Sequence, residues 1–398
     1  MKYPLLSNAF SKEDIHEGIK IIKSKQITMS KKTKEFEIKF AKYLNAKYAL
    51  MVNSGSSANL LAVALLCNPL KKNNLKAGDE VIIPVLCWST SLWPLVQYGL
   101  KPKFVDIDLE NLNIDIDKLE KSITKKTKAI FCIHVLGLSS NMDTIKKLAK
   151  RKKLFIIEDT CESFGSKFKG KFLGTFGEAG TFSFYYSHQI TSGEGGMIVC
   201  NKKKDYEILL SLRAHGWARD EIVLKKYKKK YKNLDPRFMF VNSGYNLRPT
   251  EIQAAIGLSQ FKRKDIFKNE RESNRRKIIQ KVIKSPKYEN QINFLNTKNY
   301  VDPSWFGLPI IINKKYKNKK KKFLKFLEQK GIETRPIISG NFVNQPASKL
   351  YGLNKENTQF PNAQFIENHG FFIGLHTNKI NNKTLNYISS NLLKINDI

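Results

Sequence analysis

Cysteine is scarce in this 398-residue chain, and the five that occur are scattered without a Cys-x-x-Cys pair. This spacing argues against a disulfide framework and against a zinc or iron–sulfur site. Long hydrophobic runs are also missing, since the longest, residues 60–67, is far too short to cross a bilayer. The first residues lack the apolar core of a secretory signal. We therefore expect a cytoplasmic protein with reduced thiols, no membrane segment and no metal.

Acidic residues are half as numerous as basic ones, 35 against 70, which gives a formal net charge of +35 at pH 7. Such a charge can attract nucleic acid. The densest basic runs, residues 225–232 and 314–322, contain isolated tyrosines rather than the stacking platforms of single-strand binders. We predict that both runs are solvated loops and that nucleic acid is not a partner. A basic surface can still attract an anionic small substrate.

Short apolar segments alternate with helical patterns in the first half of the chain. The predicted strands are residues 48–52, 79–84, 103–107, 129–134 and 154–157. This alternation predicts an α/β fold with a mostly parallel, doubly wound sheet, which binds ligands beyond the carboxyl ends of its strands. After Pro249 the pattern becomes helical and then mixed, which indicates a smaller α+β C-terminal domain. The predicted units are an N-terminal segment 1–30, a large domain 31–248 and a small domain 249–398.

Three features lie where a ligand of such a sheet would bind. Ser56 and Ser57 stand between a predicted strand and a helix N-terminus, where free N–H groups favour a phosphate, although a simple helix cap would look similar. Asp159 follows a buried strand, where a carboxylate either pairs with a cationic ring nitrogen or caps the next element. Trp88 follows another strand and either stacks on a ring or is an ordinary buried aromatic.

Residues 181–200 are predicted to form a strand, a loop and a second strand. Phe182, Phe184 and Tyr186 alternate as in a half-buried strand, and a glycine-rich loop follows them. His188 lies at the predicted turn. Lysine is absent between positions 171 and 202, in a chain that is otherwise rich in it.

The order and spacing of these features resemble the DegT/DnrJ/EryC1/StrS family of pyridoxal-phosphate-dependent sugar aminotransferases over essentially the whole chain. Segments 212–216 (Leu-Arg-Ala-His-Gly) and 244–249 (Gly-Tyr-Asn-Leu-Arg-Pro) are typical of that family. In its aminotransferases, the residue five positions after Ser183 is the lysine that binds the cofactor covalently, and here it is His188. This replacement resembles the nucleotide-sugar 3-dehydratases of the family. Related CDP-sugar enzymes also carry a cysteine cluster for an iron–sulfur centre, which this chain lacks.

The resemblance implies the aspartate aminotransferase fold (fold type I) and a homodimeric lyase. The implied reaction removes the C3 hydroxyl of a nucleotide-linked 4-keto-6-deoxy sugar, in colitose-type deoxysugar and O-antigen biosynthesis. L-glutamate would convert pyridoxal 5′-phosphate to pyridoxamine 5′-phosphate, and His188 would transfer protons without displacing the cofactor. A GDP-linked sugar is expected, while CDP and UDP stay open. The alternatives are a sugar 4-aminotransferase with another lysine, a CDP-sugar 3-dehydrase and a non-catalytic binding protein.

The resemblance also implies the residues of the site. Those expected to bind the cofactor are Ser56, Ser57, Trp88, Asp159, Cys161, Glu162, Ser183 and, from a second subunit, Asn246. Those expected to contact the sugar nucleotide or glutamate are His215, Arg219, Arg248 and Glu333. Asp159 would keep the pyridine nitrogen protonated, with Trp88 and Cys161 on its two ring faces. From the residues alone, Arg219 could instead be a surface partner of Asp220, and His215 a packed structural residue.

Overall fold

The computed structural model describes residues 1–7 and 9–398. Within this part of the chain the strands form one sheet of seven, one of four and one of three. The strands are β1 (Tyr48–Val52), β2 (Glu80–Pro84), β3 (Lys101–Val105), β4 (Thr127–Ile133), β5 (Phe155–Asp159), β6 (Lys167–Phe168), β7 (Lys171–Phe172), β8 (Ala179–Ser183), β9 (Gly196–Cys200), β10 (Ile292–Phe294), β11 (Val301–Asp302), β12 (Gly307–Ile312), β13 (Thr334–Arg335) and β14 (Gly370–Gly374).

The helices pack on both sheets and between them. They are α1 (Lys12–Ser24), α2 (Lys31–Leu44), α3 (Gly55–Cys67), α4 (Ser89–Gln97), α5 (Ile116–Ser122), α6 (Met142–Lys152), α7 (Lys203–Arg213), α8 (Glu221–Lys228), α9 (Glu251–Lys262), α10 (Lys264–Ile283), α11 (Lys320–Gln329), α12 (Pro346–Leu350), α13 (Pro361–His369) and α14 (Asn382–Leu392). Short 3₁₀ turns join several of them.

The largest sheet has the strand order β1-β9-β8-β5-β4-β2-β3. Its neighbours pair in parallel except for β9, which runs antiparallel to both β1 and β8. The carboxyl ends of β1, β8, β5 and β4 therefore meet at one edge. The predicted α/β class with a mostly parallel sheet is confirmed, and the five predicted strands differ from the observed bounds by at most two residues.

Helix α3 begins at this edge of the sheet and is held there by burial and by a helix cap. Its sequence is apolar on nearly every face, and the helix is buried between the large sheet and its neighbours α4 and α7. The Ser54 side chain accepts the N–H of Ser57 and caps the helix, which stabilises the first turn. The sheet core and this cap together hold the helix N-terminus at the carboxyl end of β1.

The C-terminal part is built on the antiparallel sheet β10-β12-β14-β13, as the predicted smaller α+β unit requires. The first residues join it: Tyr3 forms a β-bridge with Ile332, and its hydroxyl donates to the Gly374 carbonyl at 3.0 Å. The segment 1–7 thus runs along the small sheet rather than standing apart. The boundaries at residues 30 and 248 stay a prediction.

Two local predictions are wrong. The predicted strand through Tyr186 ends at Ser183, a turn follows at residues 186–187, and Tyr186 is exposed. The lysine-rich runs are loops only in part: residues 225–228 continue α8, residues 229–232 follow it outside any helix, and residues 320–322 begin α11 after a 3₁₀ turn. Lys320 also donates to two carbonyl groups, of Glu367 and Gly370. This lysine therefore has protein partners and is not simply solvated.

The described residues lack a membrane-spanning helix and a metal-binding cluster. None of the helices there has both the length and the apolar composition that a bilayer crossing needs. The same residues hold no group of three His, Cys, Asp or Glu side chains that is arranged to bind a metal ion.

Candidate active site

A cleft of about 560 Å³ opens at the carboxyl edge of the large sheet. Residues of the small sheet and its connections, including Phe306, Arg335 and Phe372, form the opposite wall, and Leu5 of the N-terminal segment joins them. The predicted site residues that line this cleft are Ser56, Trp88, Asp159, Cys161, Glu162, Ser183 and His188. Positions far apart in the sequence thus meet in one cavity.

The N-terminus of α3 forms one end of the cleft. Ser56 is exposed there, and its hydroxyl donates to Thr90 Oγ1 at 3.1 Å. A side chain at position 55 would not fit, because its Cβ would lie 2.5 Å from the Ser183 Cβ. The backbone N–H groups at this helix start and the Ser183 side chain therefore face the same small space, and such a helix start attracts an anion.

Ser57 is turned away from that space. It is buried, its hydroxyl donates to Asn53 Oδ1 at 2.6 Å, and it does not line the cleft in the described structure. Its backbone N–H is taken by the Ser54 cap. As a phosphate ligand, Ser57 would have to exchange one of these hydrogen bonds, so it fits the role less directly than Ser56.

Asp159 ends β5 at the floor of the cleft and is 5% exposed. Its Oδ2 accepts the Asn59 amide at 2.8 Å and the Ser91 hydroxyl at 2.7 Å. Its Oδ1 accepts the backbone N–H of Cys161 at 3.0 Å. Three donors occupy both oxygens and fix the plane of the carboxylate. The sequence left open whether Asp159 pairs with a ligand or caps an element; the geometry gives a fixed anion at the cleft floor.

His188 lies on the loop after β8 and is partly open to the cleft. Its ring meets the Phe306 ring edge-on at a centroid distance of 5.0 Å. Burial, aided by the Arg271 guanidinium, lowers the pKa of His188 to about 3. Among the described residues its Nδ1 has no hydrogen-bond partner. The imidazole is therefore neutral near pH 7 and can accept a proton.

This depressed pKa gives a stability prediction for the cofactor-free protein. Below pH 6.5, the ordinary pKa of histidine, the unfolded chain binds a proton that folded His188 does not bind until the pH nears 3, so stability decreases as the pH falls through that window. We expect wild type to lose about 2 kcal/mol more than His188→Asn between about pH 6.5 and pH 4.5. Urea unfolding at several pH values measures this difference. If the free energy of unfolding changed equally with pH in the two proteins, the lowered pKa of His188 would be contradicted.

Three further side chains border the cleft. Trp88 precedes α4 and is 57% exposed, so a face of its indole is open for stacking. Burial and the nearby Asp159 raise the pKa of the Cys161 thiol well above its usual value, so the group is an uncharged neighbour. Burial also raises the pKa of Glu162 to about 7, with a smaller contribution from Asp159, while the Leu136 N–H opposes the shift. Glu162 therefore changes charge near neutral pH.

The remaining predicted residues do not line this chain's cleft. His215, Arg219 and Asn246 are exposed, and Arg248 donates to Asn246 Oδ1 at 2.9 Å. Arg219 lies 5.0 Å from the centre of the Trp217 ring rather than beside Asp220, whose side chain caps α8. Glu333 lies just behind the cleft wall, where it accepts the Leu5 N–H at 2.9 Å and pairs with Arg335.

Sequence reasoning missed several residues of the site. Asn59 and Ser91 orient Asp159 from two helices, and Leu5 and Arg335 come from the small-sheet side. Asn59 had a usable signal, because it is a polar residue inside an otherwise apolar helix. Leu5 had none, since only the path of the whole chain brings the N-terminal segment to the cleft.

Comparison with known proteins identifies the family of this chain. The model of the DegT/DnrJ/EryC1/StrS aminotransferase family matches residues 8–392. The chain is 40% identical over 381 residues to the GDP-4-keto-6-deoxy-D-mannose 3-dehydratase of Escherichia coli O55:H7. The aligned part covers 94% of this chain and 96% of the relative.

Solved structures agree in fold over nearly the whole length. The E. coli GDP-4-keto-6-deoxy-D-mannose-3-dehydratase with bound hydrated PLP superposes with a TM-score of 0.88 at 36% identity and covers 98% of this chain and 99% of its own. A GDP-4-keto-6-deoxymannose-3-dehydratase with a trapped PLP-glutamate geminal diamine gives 0.86 at 36% identity, with 98% and 100% covered. The fold expected from the resemblance is confirmed.

Proposed function

Because the chain belongs to the DegT/DnrJ/EryC1/StrS aminotransferase family, we propose that its cleft removes the C3 hydroxyl of a nucleotide-linked 4-keto-6-deoxy sugar. The protein is a hydro-lyase that uses pyridoxal and pyridoxamine 5′-phosphate, and GDP-4-keto-6-deoxy-D-mannose is its sugar substrate. One observation carries the assignment: the cleft that contains the Asp159 carboxylate also contains the neutral imidazole of His188, and among the described residues that line it there is no lysine.

The residues present fit the cofactor. An anion site at the start of α3 suits the phosphate, and the buried carboxylate of Asp159 suits a protonated ring nitrogen. Trp88 offers an aromatic face beside them. When bound, the cofactor supplies an electron sink that lets a carbon–oxygen bond next to a ketone carbon break. The donor set therefore holds both ends of the molecule without a covalent bond to the protein.

His188 moves the proton in this scheme. With the cofactor bound, its neutral imidazole would accept the proton lost next to the cofactor ring and, once charged, would give it to the departing C3 hydroxyl, which leaves as water. A lysine amine at this position would compete as a nucleophile, whereas an imidazole does not form a stable imine. The edge-on contact with Phe306 restricts the orientation of the His188 ring.

The anionic substrates need positive partners. Arg335 lines the cleft from the small-sheet side, and its pairing with Glu333 sets the direction of the guanidinium. L-glutamate and the nucleotide diphosphate both carry groups that a guanidinium binds. We assign Arg335 to these anions, with Glu333 as the residue that orients it.

A homodimer completes the site in this proposal. His215, Arg219, Asn246 and Arg248 stand outside their own chain's cleft on the exposed segment between α7 and α9. In a twofold dimer such a segment can reach the cleft of the other chain. The proposal places these residues there as phosphate and nucleotide contacts, and it includes a cytoplasmic location, which the unpaired cysteines suit.

Mixed dimers test the shared site. We expect His188→Asn and Arg248→Ala to be nearly inactive alone, because each damages every site. When equal amounts are unfolded and refolded together, about a quarter of the sites regain both native residues, so about a quarter of wild-type activity should return. The steady-state rate of the refolded mixture measures the recovered activity. No recovery, with mixed dimers shown by mass spectrometry, would place Arg248 in its own chain's site or outside any site.

The reaction itself is tested by its products. The enzyme, loaded with pyridoxal 5′-phosphate, is incubated with L-glutamate and GDP-4-keto-6-deoxy-D-mannose, and ammonia and the sugar nucleotide are quantified. The expected result is one ammonia for each 3-deoxy-4-keto sugar formed. A 4-amino sugar without ammonia would assign a 4-aminotransferase, and no turnover would favour a binding protein. Parallel runs with CDP- and UDP-linked sugars identify the nucleotide.

A further inference from the structure

His134 directly follows β4 and lies beside Asp159 on the neighbouring strand. Its backbone N–H donates to the Asp159 carbonyl oxygen at 3.0 Å, so the two residues are held side by side. Its side chain is only 1% exposed and yet lines the cleft. The proposed reaction assigns no role to this buried imidazole.

The hydrogen bonds around His134 favour the tautomer that carries its proton on Nε2. Nε2 lies 3.1 Å from Glu158 Oε2. The Glu158 carboxylate already accepts the backbone N–H groups of Gly174, Phe176 and Gly177. A carboxylate held by three N–H donors is an acceptor, so Nε2 donates to it.

The other nitrogen of the ring is then an acceptor without a donor. Nδ1 of His134 is buried, and no partner for it exists among the residues that the structure describes. An unpaired buried acceptor is costly, and such exceptions call for an explanation. Since the ring lines the cleft, a hydroxyl group of a bound molecule is the partner that fits.

The order of strands identifies that hydroxyl. The anion site at the start of α3 follows β1, and Ser183 ends β8. Asp159 ends β5, and His134 follows β4. These strands stand in the order β1-β9-β8-β5-β4. In pyridoxal phosphate, the phosphate arm and the ring hydroxyl lie on opposite sides of the axis through the ring nitrogen. With the phosphate on the β1 side and the nitrogen at Asp159, the ring hydroxyl would face β4.

We propose that His134 is a positioning residue that accepts a hydrogen bond at Nδ1 from the ring hydroxyl of the cofactor. The inference rests on the proposed function and deepens it. Glu158 fixes the tautomer from behind, as a carboxylate partner does for ligand-binding histidines. The bond favours the protonated hydroxyl and fixes the tilt of the ring relative to His188. The other titratable side chains that face this space are Asp159, Cys161, Glu162, Tyr185, His188, Glu194 and Arg335.

Two variants separate the two nitrogens. In His134→Gln the side-chain amide can still donate to Glu158 from about the Nε2 position, but no acceptor remains at Nδ1. In His134→Asn an oxygen can stand near Nδ1, while the Glu158 contact is lost. The readouts are equilibrium dialysis of pyridoxal 5′-phosphate and the pH dependence of its absorbance in the bound state, which reports protonation of the ring hydroxyl.

We expect His134→Gln to weaken cofactor binding about tenfold and to lower the pH midpoint of the absorbance change by about one unit. His134→Asn should keep a midpoint within about 0.3 units of wild type. His369→Gln is the control, because His369 is also buried but lies outside the cleft and bonds the Ile312 carbonyl. An unchanged or raised midpoint in His134→Gln would overturn the proposal.

A second measurement uses wild-type protein and does not depend on the folding of a variant. The analogue 3-deoxypyridoxal 5′-phosphate, which lacks the ring hydroxyl, should bind about tenfold more weakly than the natural cofactor. Equal binding of both compounds would overturn the role of His134 and leave the proposed function intact. Failure of wild type to bind either compound would instead contradict the cofactor site itself.

Discussion

Replacement of His188 by asparagine is expected to lower the rate of C3 deoxygenation by about 10²–10⁴-fold, the usual contribution of a positioned acid or base. Asparagine fits the space and keeps a polar group toward the cleft, but it cannot take up a proton. The neutral state of His188, which follows from its burial, is the state that a base needs. Single-turnover kinetics with the pyridoxamine form of the enzyme and the sugar nucleotide measure this step.

Cofactor binding distinguishes a lost proton transfer from a damaged site. The dissociation constant of pyridoxal 5′-phosphate for His188→Asn should stay within about threefold of wild type, because phosphate and ring-nitrogen contacts supply most of the binding. His16→Asn, a change of an exposed histidine on α1, is the matched control and should leave the rate unchanged. A rate within about tenfold of wild type for His188→Asn would remove His188 from the mechanism.

Replacement of Asp159 by asparagine has the second large expected effect. We expect turnover to fall at least about 10²-fold and cofactor binding to weaken by about 10-fold or more, since a charge-assisted hydrogen bond to the ring nitrogen is lost. The new amide group would also face donors from Asn59, Ser91 and the Cys161 backbone. The free energy of unfolding should therefore drop by about 1–3 kcal/mol.

A second buried aspartate separates the loss of stability from the loss of function. Asp205 pairs with Lys71 at 2.7 Å, and neither residue lines the cleft. Asp205→Asn should destabilise the fold while leaving the cofactor dissociation constant near the wild-type value. Dialysis and urea unfolding of both variants measure the two effects. Equal cofactor affinity in Asp159→Asn and wild type would show that no ring nitrogen meets this carboxylate.

The sequence predicted the parts of the fold whose signals are local. Apolar runs such as those of β1 and β5 identified the strands of the sheet within two residues, and the parallel order then placed Asp159 at the ligand edge. The alternation of Phe182, Phe184 and Tyr186 predicted a strand that is too long, because the alternation continues past the point where pairing with β9 ends. Alternation records which side chains pack, and it does not record where the chain turns.

The wall of the cleft opposite the sheet could not be predicted in this way. Leu5 reaches it because the N-terminal segment forms a bridge from Tyr3 to Ile332, more than 300 positions apart, and Arg335 reaches it on β13 of the small sheet. Ser57 shows the reverse case, since its place at the helix start was predicted but its hydroxyl is taken by Asn53. Which side chains of a motif face a ligand depends on such neighbours.

The central claim is that an imidazole stands where a lysine would hold the cofactor, so that the cofactor is bound without a covalent link. Borohydride reduction of the pyridoxal 5′-phosphate complex, followed by intact-protein mass spectrometry, tests it directly, with His188→Lys as the positive control. We predict no mass increase for wild type and a stable adduct of one cofactor per chain for His188→Lys. A reduced adduct on any lysine of the wild-type protein would contradict the account.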